Sequence, residues 1–63
     1  MDTRADTIRN ERRRRDLSQY ELAKKAGLHP ATISLAERGT RISQETAEKI
    51  AAALELRVEE LCP

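Results

Sequence analysis

Apolar and small residues recur along this chain at three- and four-residue spacing, and no stretch alternates in the manner of a strand. In residues 3–15, Ala5, Ile8, Arg12 and Arg15 share one helical face, on which Ile8 is the one strong hydrophobe. Asp16 and Leu17 form the first connection, with Leu17 pinning it to the core. Leu22, Ala23 and Ala26 make the inward stripe of a second helix over 18–26, and Ile33, Ala36 and Glu37 share a face of a third over 30–38. Ile42 anchors the short loop 39–42. Ala47, Ile50, Ala51 and Leu54 then follow i, i+3, i+4, i+7 without a miss, the cleanest amphipathic pattern here, in a helix over 43–54. Val58 to Leu61 supplies a fifth, short helix. The expected fold is all-α, five short helices in a single domain covering 1–63.

Local punctuation agrees with these boundaries at the centre of the chain. Ser18 with Glu21 three residues on is a capping box that opens a helix. Gly27 closes it, since glycine accepts the positive φ of a helix end. Leu28 and His29 alone separate that glycine from Pro30, whose fixed φ suits a first helical position. Gly39 stops the following helix, and Ser43 caps the next. Two short helices joined across a turn of about three to four residues make a helix-turn-helix.

Composition limits what such a chain can do. Sixty-three residues hold one domain at most, with Tyr20 the single aromatic, so the core is built from small aliphatic side chains. No apolar run is long enough for a membrane span, and no signal-peptide pattern is present. The lone Cys62 excludes a disulfide framework within one chain and fits a reducing, cytoplasmic setting. A net charge of +1 conceals an asymmetry. Residues 1–41 carry ten Lys/Arg against six Asp/Glu, a net of +4, whereas residues 42–63 carry two against five, a net of −3. The basic half surrounds the helix-turn-helix and suits an anionic partner. The run Arg12–Arg15 is not one patch, because successive residues point all round a helix. Arg12 faces inward, while Arg13 and Arg14 belong to a solvated outer face.

The segments IRxxR from Ile8, LSQYELAKKAGL from Leu17, TIS, AERG and ETAEKIAAAL together resemble the lambda-repressor-like, xenobiotic-response-element type of DNA-binding domain, over residues 8–61. The chain departs from that pattern at three places. Glu11 stands where an apolar residue is usual, Glu55 where a glycine ends the fourth helix, and Arg57 where a serine caps the fifth.

The resemblance implies double-stranded DNA as partner, with the third helix in the major groove. The outward face of that helix is Ala31, Ser34, Leu35 and Arg38. Base contacts then fall to Thr32 or Ser34, to methyl contacts by Ala31 or Leu35, and to Arg38. Pro30 and Ala31 bring no side-chain hydrogen bond, so direct readout is thin and groove shape is a further source of specificity. Gln19, at the start of the second helix, is a candidate phosphate contact or simply a tolerant first-turn residue. Arg38, Thr40 and Arg41 surround the turn after the third helix as phosphate candidates, or as ordinary solvated residues. Tyr20 either donates to a phosphate or shields the first helix. Arg12 lies one turn after Ile8 and Glu37 one turn after Ile33, so both charges are directed into a thin core, where an ion pair is expected. Similar domains link the matching positions in the same way.

No nucleophile–base set, paired-carboxylate pocket or glycine-rich phosphate loop is present, so the expectation is a non-enzyme without cofactor or metal. His29 lacks ligand-spaced partners and reads as a cap for the third helix or a phosphate contact. The leading reading is a sequence-specific, DNA-binding transcriptional regulator acting as a homodimer, its two third helices about 34 Å apart in successive grooves. Its dimer contact is expected at Val58, Leu61 and the end of the fourth helix, with Glu55, Glu59 and Glu60 away from DNA. The alternative is a protein-interaction module on the same scaffold, an antitoxin or the anchoring domain of a larger regulator.

Overall fold

A computed structural model of the chain describes residues 4–62. Five helices follow in order: α1 Ala5–Arg14, α2 Gln19–Ala26, α3 Pro30–Glu37, α4 Gln44–Ala53 and α5 Val58–Leu61. No strand occurs among the described residues. The fold is all-α.

Where a cap is encoded, the helix end falls beside it. Ser18 Oγ accepts the Glu21 N–H at 3.0 Å, and Glu21 Oε1 accepts the Ser18 N–H at 2.9 Å, so the capping box of α2 is complete. Gly27 follows in the left-handed region at φ 72°. Ser43 Oγ accepts the Thr46 N–H at 3.1 Å and opens α4. Helix α1 has weaker punctuation and is shorter than the span 3–15. Its expected start at residue 3 lies outside the described residues. The helix begins at Ala5, after Arg4, whose side chain does not cap it. At the other end the Arg15 N–H turns back to the Arg12 carbonyl at 3.1 Å, and Asp16 adopts φ 53°. Helices α2, α3 and α4 likewise exclude the cap residues Ser18, Arg38, Ser43 and Leu54 from their regular spans.

The core is aliphatic. Ile8, Leu22, Ile33, Ile50, Leu54 and Leu61 are its largest fully buried side chains, interleaved with Ala23, Ala36, Ala47 and Ala51. Helix α3 packs against α2 and α1, α4 against α2, and α5 ties α4 back to α1. Leu17, Leu28, Ile42, Leu56 and Val58 close the edges of this cluster. Small alanines let the helices approach closely, which is how a short chain without Phe or Trp fills an interior.

The end of α4 departs from the local rules. Leu54 caps it, Glu55 takes φ 59°, and the Leu56 N–H returns to the Ala51 carbonyl at 2.8 Å. A glutamate thus occupies a left-handed position usually taken by glycine. Leu54 is fully buried on one side of it and Leu56 partly buried against the core on the other, which favours the turn. Leu61 corrects the expected dimer surface: it is fully buried within its own chain, and its carbonyl accepts the Arg4 N–H at 2.6 Å. Val58 beside it is half-buried, so the packing of α5 on α1 and α4 withdraws Leu61 but not all of the apolar surface expected to meet a partner.

Candidate nucleic-acid interface

Helices α2 and α3 present their candidate residues through the caps that orient them. Pro30 occupies the first turn of α3, and His29 precedes it with extended backbone. Its Nδ1 accepts the Ala31 N–H at 3.1 Å, so the imidazole is the N-cap of this helix. Helix α3 buries Ile33, Ala36 and Glu37, which fixes the opposite face outward. On that face Ala31, Leu35 and Arg38 are exposed and Ser34 is half-buried. Thr32 is half-buried at the side of the helix. Leu35 retains 44% of its surface. Gly39 at φ 82° turns the chain away, leaving Thr40 and Arg41 exposed beside the end of α3.

Beneath this face lies a charged group that joins three helices. Arg12 Nε donates to Glu37 Oε2 at 2.6 Å and Arg12 Nη2 to Oε1 at 3.1 Å. The two side chains are 12% and 4% exposed. Arg12 Nη1 also donates to the Leu17 carbonyl at 2.8 Å, holding the connection between α1 and α2. Gln19 Nε2 donates to Glu37 Oε1 at 3.3 Å. The structure therefore turns the Gln19 amide toward Glu37, at the edge of α2, with the residue half-buried. Tyr20, its neighbour, is 64% exposed. Arg9, the first arginine of the IRxxR segment, has no role assigned from the sequence, yet its Nη2 donates to the Glu37 carbonyl at 3.0 Å and its Nε lies 3.8 Å from Oε1. Its spacing of three from Arg12 on α1 was the available signal.

A second cluster lies on α1 alone. Glu11 accepts from Arg15 Nη1 at 2.7 Å and from Arg14 Nη1 at 3.0 Å. The Arg15 hydrogen bond, joined by the charges of Arg14 and Arg15 and opposed by burial, holds the Glu11 carboxyl below the usual carboxylate range. The polar Glu11 is thus satisfied at the helix edge by the arginines that follow it. Glu21 is held low as well, by the Ser18 N–H first and the Ser18 hydroxyl second.

Two helices cross through a short turn, and the chain matches a helix-turn-helix family model over residues 8–61. The chain belongs to the lambda-repressor-like, Xre-type helix-turn-helix family. That family is one of DNA-binding transcription regulators and is generally non-enzymatic. No curated protein matches the chain. Among the described residues, no helix is long and apolar enough to cross a membrane, and no group of three His, Cys, Asp or Glu side chains is placed to hold a metal ion.

Proposed function

We propose that this chain, acting as one domain over 1–63 in the cytoplasm, is a sequence-specific regulator that binds double-stranded DNA as a homodimer and lays α3 in the major groove. The observation that carries the reading is the division of α3. Ile33, Ala36 and Glu37 are buried, while Ala31, Leu35 and Arg38 stand exposed on the other side, in a chain belonging to a DNA-binding family. A helix held from behind and bare in front is a rigid reading element.

Base contact is assigned to Ala31, Thr32, Ser34, Leu35 and Arg38. Their chemistry favours methyl contacts from Ala31 and Leu35, hydroxyl hydrogen bonds from Thr32 and Ser34, and a guanidinium from Arg38. Phosphate contact is assigned to Gln19, Tyr20, Thr40 and Arg41, which flank the two ends of the motif. Gln19 keeps a second amide N–H beyond the one given to Glu37, and that N–H is its donor to a phosphate. The test is a gel shift on non-specific duplex at low and moderate salt. Retardation that fades steeply with salt is expected, because phosphate neutralisation releases counterions. A folded chain that retards no duplex at low salt would sink the proposal.

One observation favours a second reading, a protein-interaction module. Tyr20 and Leu35 are the two exposed large hydrophobics among the described residues, and exposed apolar side chains also serve protein partners. Selection separates the readings: Leu35→Ala shifts the preferred DNA motif if Leu35 meets bases, and leaves it unchanged if Leu35 meets a protein.

A further inference from the structure

The groove-entering end of α3 is poor in reading groups. Of His29, Pro30 and Ala31, only the histidine has a hydrogen-bonding side chain. That histidine is exposed, and its place in the structure is defined at one nitrogen. Nδ1 accepts the Ala31 N–H at 3.1 Å. A ring nitrogen that accepts carries no proton, so in the neutral ring the proton resides on Nε2. The two nitrogens diverge, so a ring anchored to α3 through Nδ1 presents Nε2–H away from the helix. His29 therefore combines an occupied acceptor, an exposed donor, and a position one residue before the helix assigned to the major groove.

We infer that His29 is a base-reading residue of this chain, donating from Nε2 to the guanine N7/O6 edge at the outermost base pair that α3 meets in each half-site. The inference rests on the major-groove reading proposed above. Guanine fits because its major-groove edge offers two adjacent acceptors to one donor, whereas adenine sets its N6 amino donor beside N7, thymine sets its methyl group beside O4, and cytosine offers a donor. The anchored ring has few orientations left to lose on binding, so it is pre-organised for one acceptor. Capping and reading are then divided between the two nitrogens of one side chain.

The experiment is a binding-site selection on random duplexes at fixed salt with the wild-type chain, His29→Ser and His29→Ala, each checked by a thermal melt. Serine keeps the cap, because its hydroxyl also accepts the first-turn N–H, but it has no outward imidazole donor. The wild type is expected to enrich guanine at one position of each half-site. His29→Ser should melt as high as the wild type and lose that preference, from roughly five-fold or more to near none, with the other positions kept. His29→Ala should lose the same preference and melt lower. An unchanged motif with His29→Ser overturns the inference, as does loss of preference for a base other than guanine. A loss of affinity equal across all sequences, with a salt slope smaller by about one, also overturns it, because that is the mark of a phosphate contact. A folded wild type that enriches no sequence overturns the DNA reading itself, and this inference falls with it.

Discussion

Arg12 grips Glu37 with two of its nitrogens, at 2.6 and 3.1 Å, and thereby joins α1 to the last turn of α3. Its third nitrogen holds the Leu17 carbonyl at 2.8 Å. Helix α3 is therefore oriented from outside the two-helix motif, by a helix that precedes it. Glu37→Gln leaves the buried Arg12 without a carboxylate, and Arg12→Met leaves Glu37 with only the longer 3.8 Å contact to Arg9 and the Gln19 amide. Glu37→Gln and Arg12→Met are each expected to cost about 3–5 kcal/mol in thermal or denaturant melts, enough to unfold much of a domain whose total stability is of that order. Losses below about 1 kcal/mol in both would mean that the bridge contributes as an exposed pair does. A joint apolar replacement, Arg12→Met with Glu37→Leu, should recover a large part of the loss, because the cost lies in the unpaired charge.

Glu55 offers the opposite experiment. Its φ of 59° costs a side chain about 1–2 kcal/mol that glycine does not incur. Part of that is offset by the greater freedom glycine loses on folding. Glu55→Gly is expected to stabilise the fold by about 1 kcal/mol, a rise of roughly 4–8 °C in Tm for a chain of this size. Asp16→Gly, at φ 53°, should give less, because aspartate tolerates this region better. A fall in Tm with Glu55→Gly would show that the side chain contributes something the strain conceals.

Acid should weaken the fold through Glu11 and Glu21. Both carboxyls are held below their ordinary range in the folded chain, Glu11 chiefly by the Arg15 hydrogen bond and Glu21 chiefly by the Ser18 N–H. The folded state thus binds their protons less readily than the unfolded one. Their contribution is fully present above the unfolded carboxylate pKa of about 4.3 and is lost as pH falls through the lower folded values. Denaturant midpoints measured from pH 7 to pH 2 should fall across that window. Glu21→Gln and Glu11→Gln should each flatten the profile, and an unaltered slope in both would count against this account.

Arg41 and Ser34 should separate by kind of contact. Arg41→Ala is expected to weaken all sequences alike and to lower the salt slope by about one, as a phosphate contact does. Ser34→Ala should instead relax the choice of base at one position, with about 1–3 kcal/mol of discrimination at stake for a good contact. Titrations on selected and scrambled duplexes at two salt concentrations read both quantities.

What could be read in advance was whatever is encoded within a few residues. The Ser18–Glu21 capping box, Gly27, Pro30 and Ser43 each act on their own turn, so their helix ends follow from local chemistry. The inward direction of Arg12 and Glu37 follows from their spacing after Ile8 and Ile33. Tertiary outcomes were hidden. The stop at Glu55 has no glycine to announce it and is favoured by the burial of its neighbours. Leu61 carries the same apolar signal whether it meets a second copy or its own α1. Gln19 and Glu37 are eighteen positions apart, and their contact depends on how α2 crosses α3. The exposed side of α3 is a further case: periodicity places those residues outward, but only a bound partner reveals what each one touches.

Tyr20 lies on the surface of α2, 64% exposed, in a chain without tryptophan or phenylalanine. The near-ultraviolet spectrum of this protein therefore belongs to its exterior. Tyrosine emission will change little when the aliphatic core opens, so unfolding has to be followed through backbone ellipticity. For the same reason, a change in that emission in the folded protein reports what approaches the motif, and no engineered label is needed to see it.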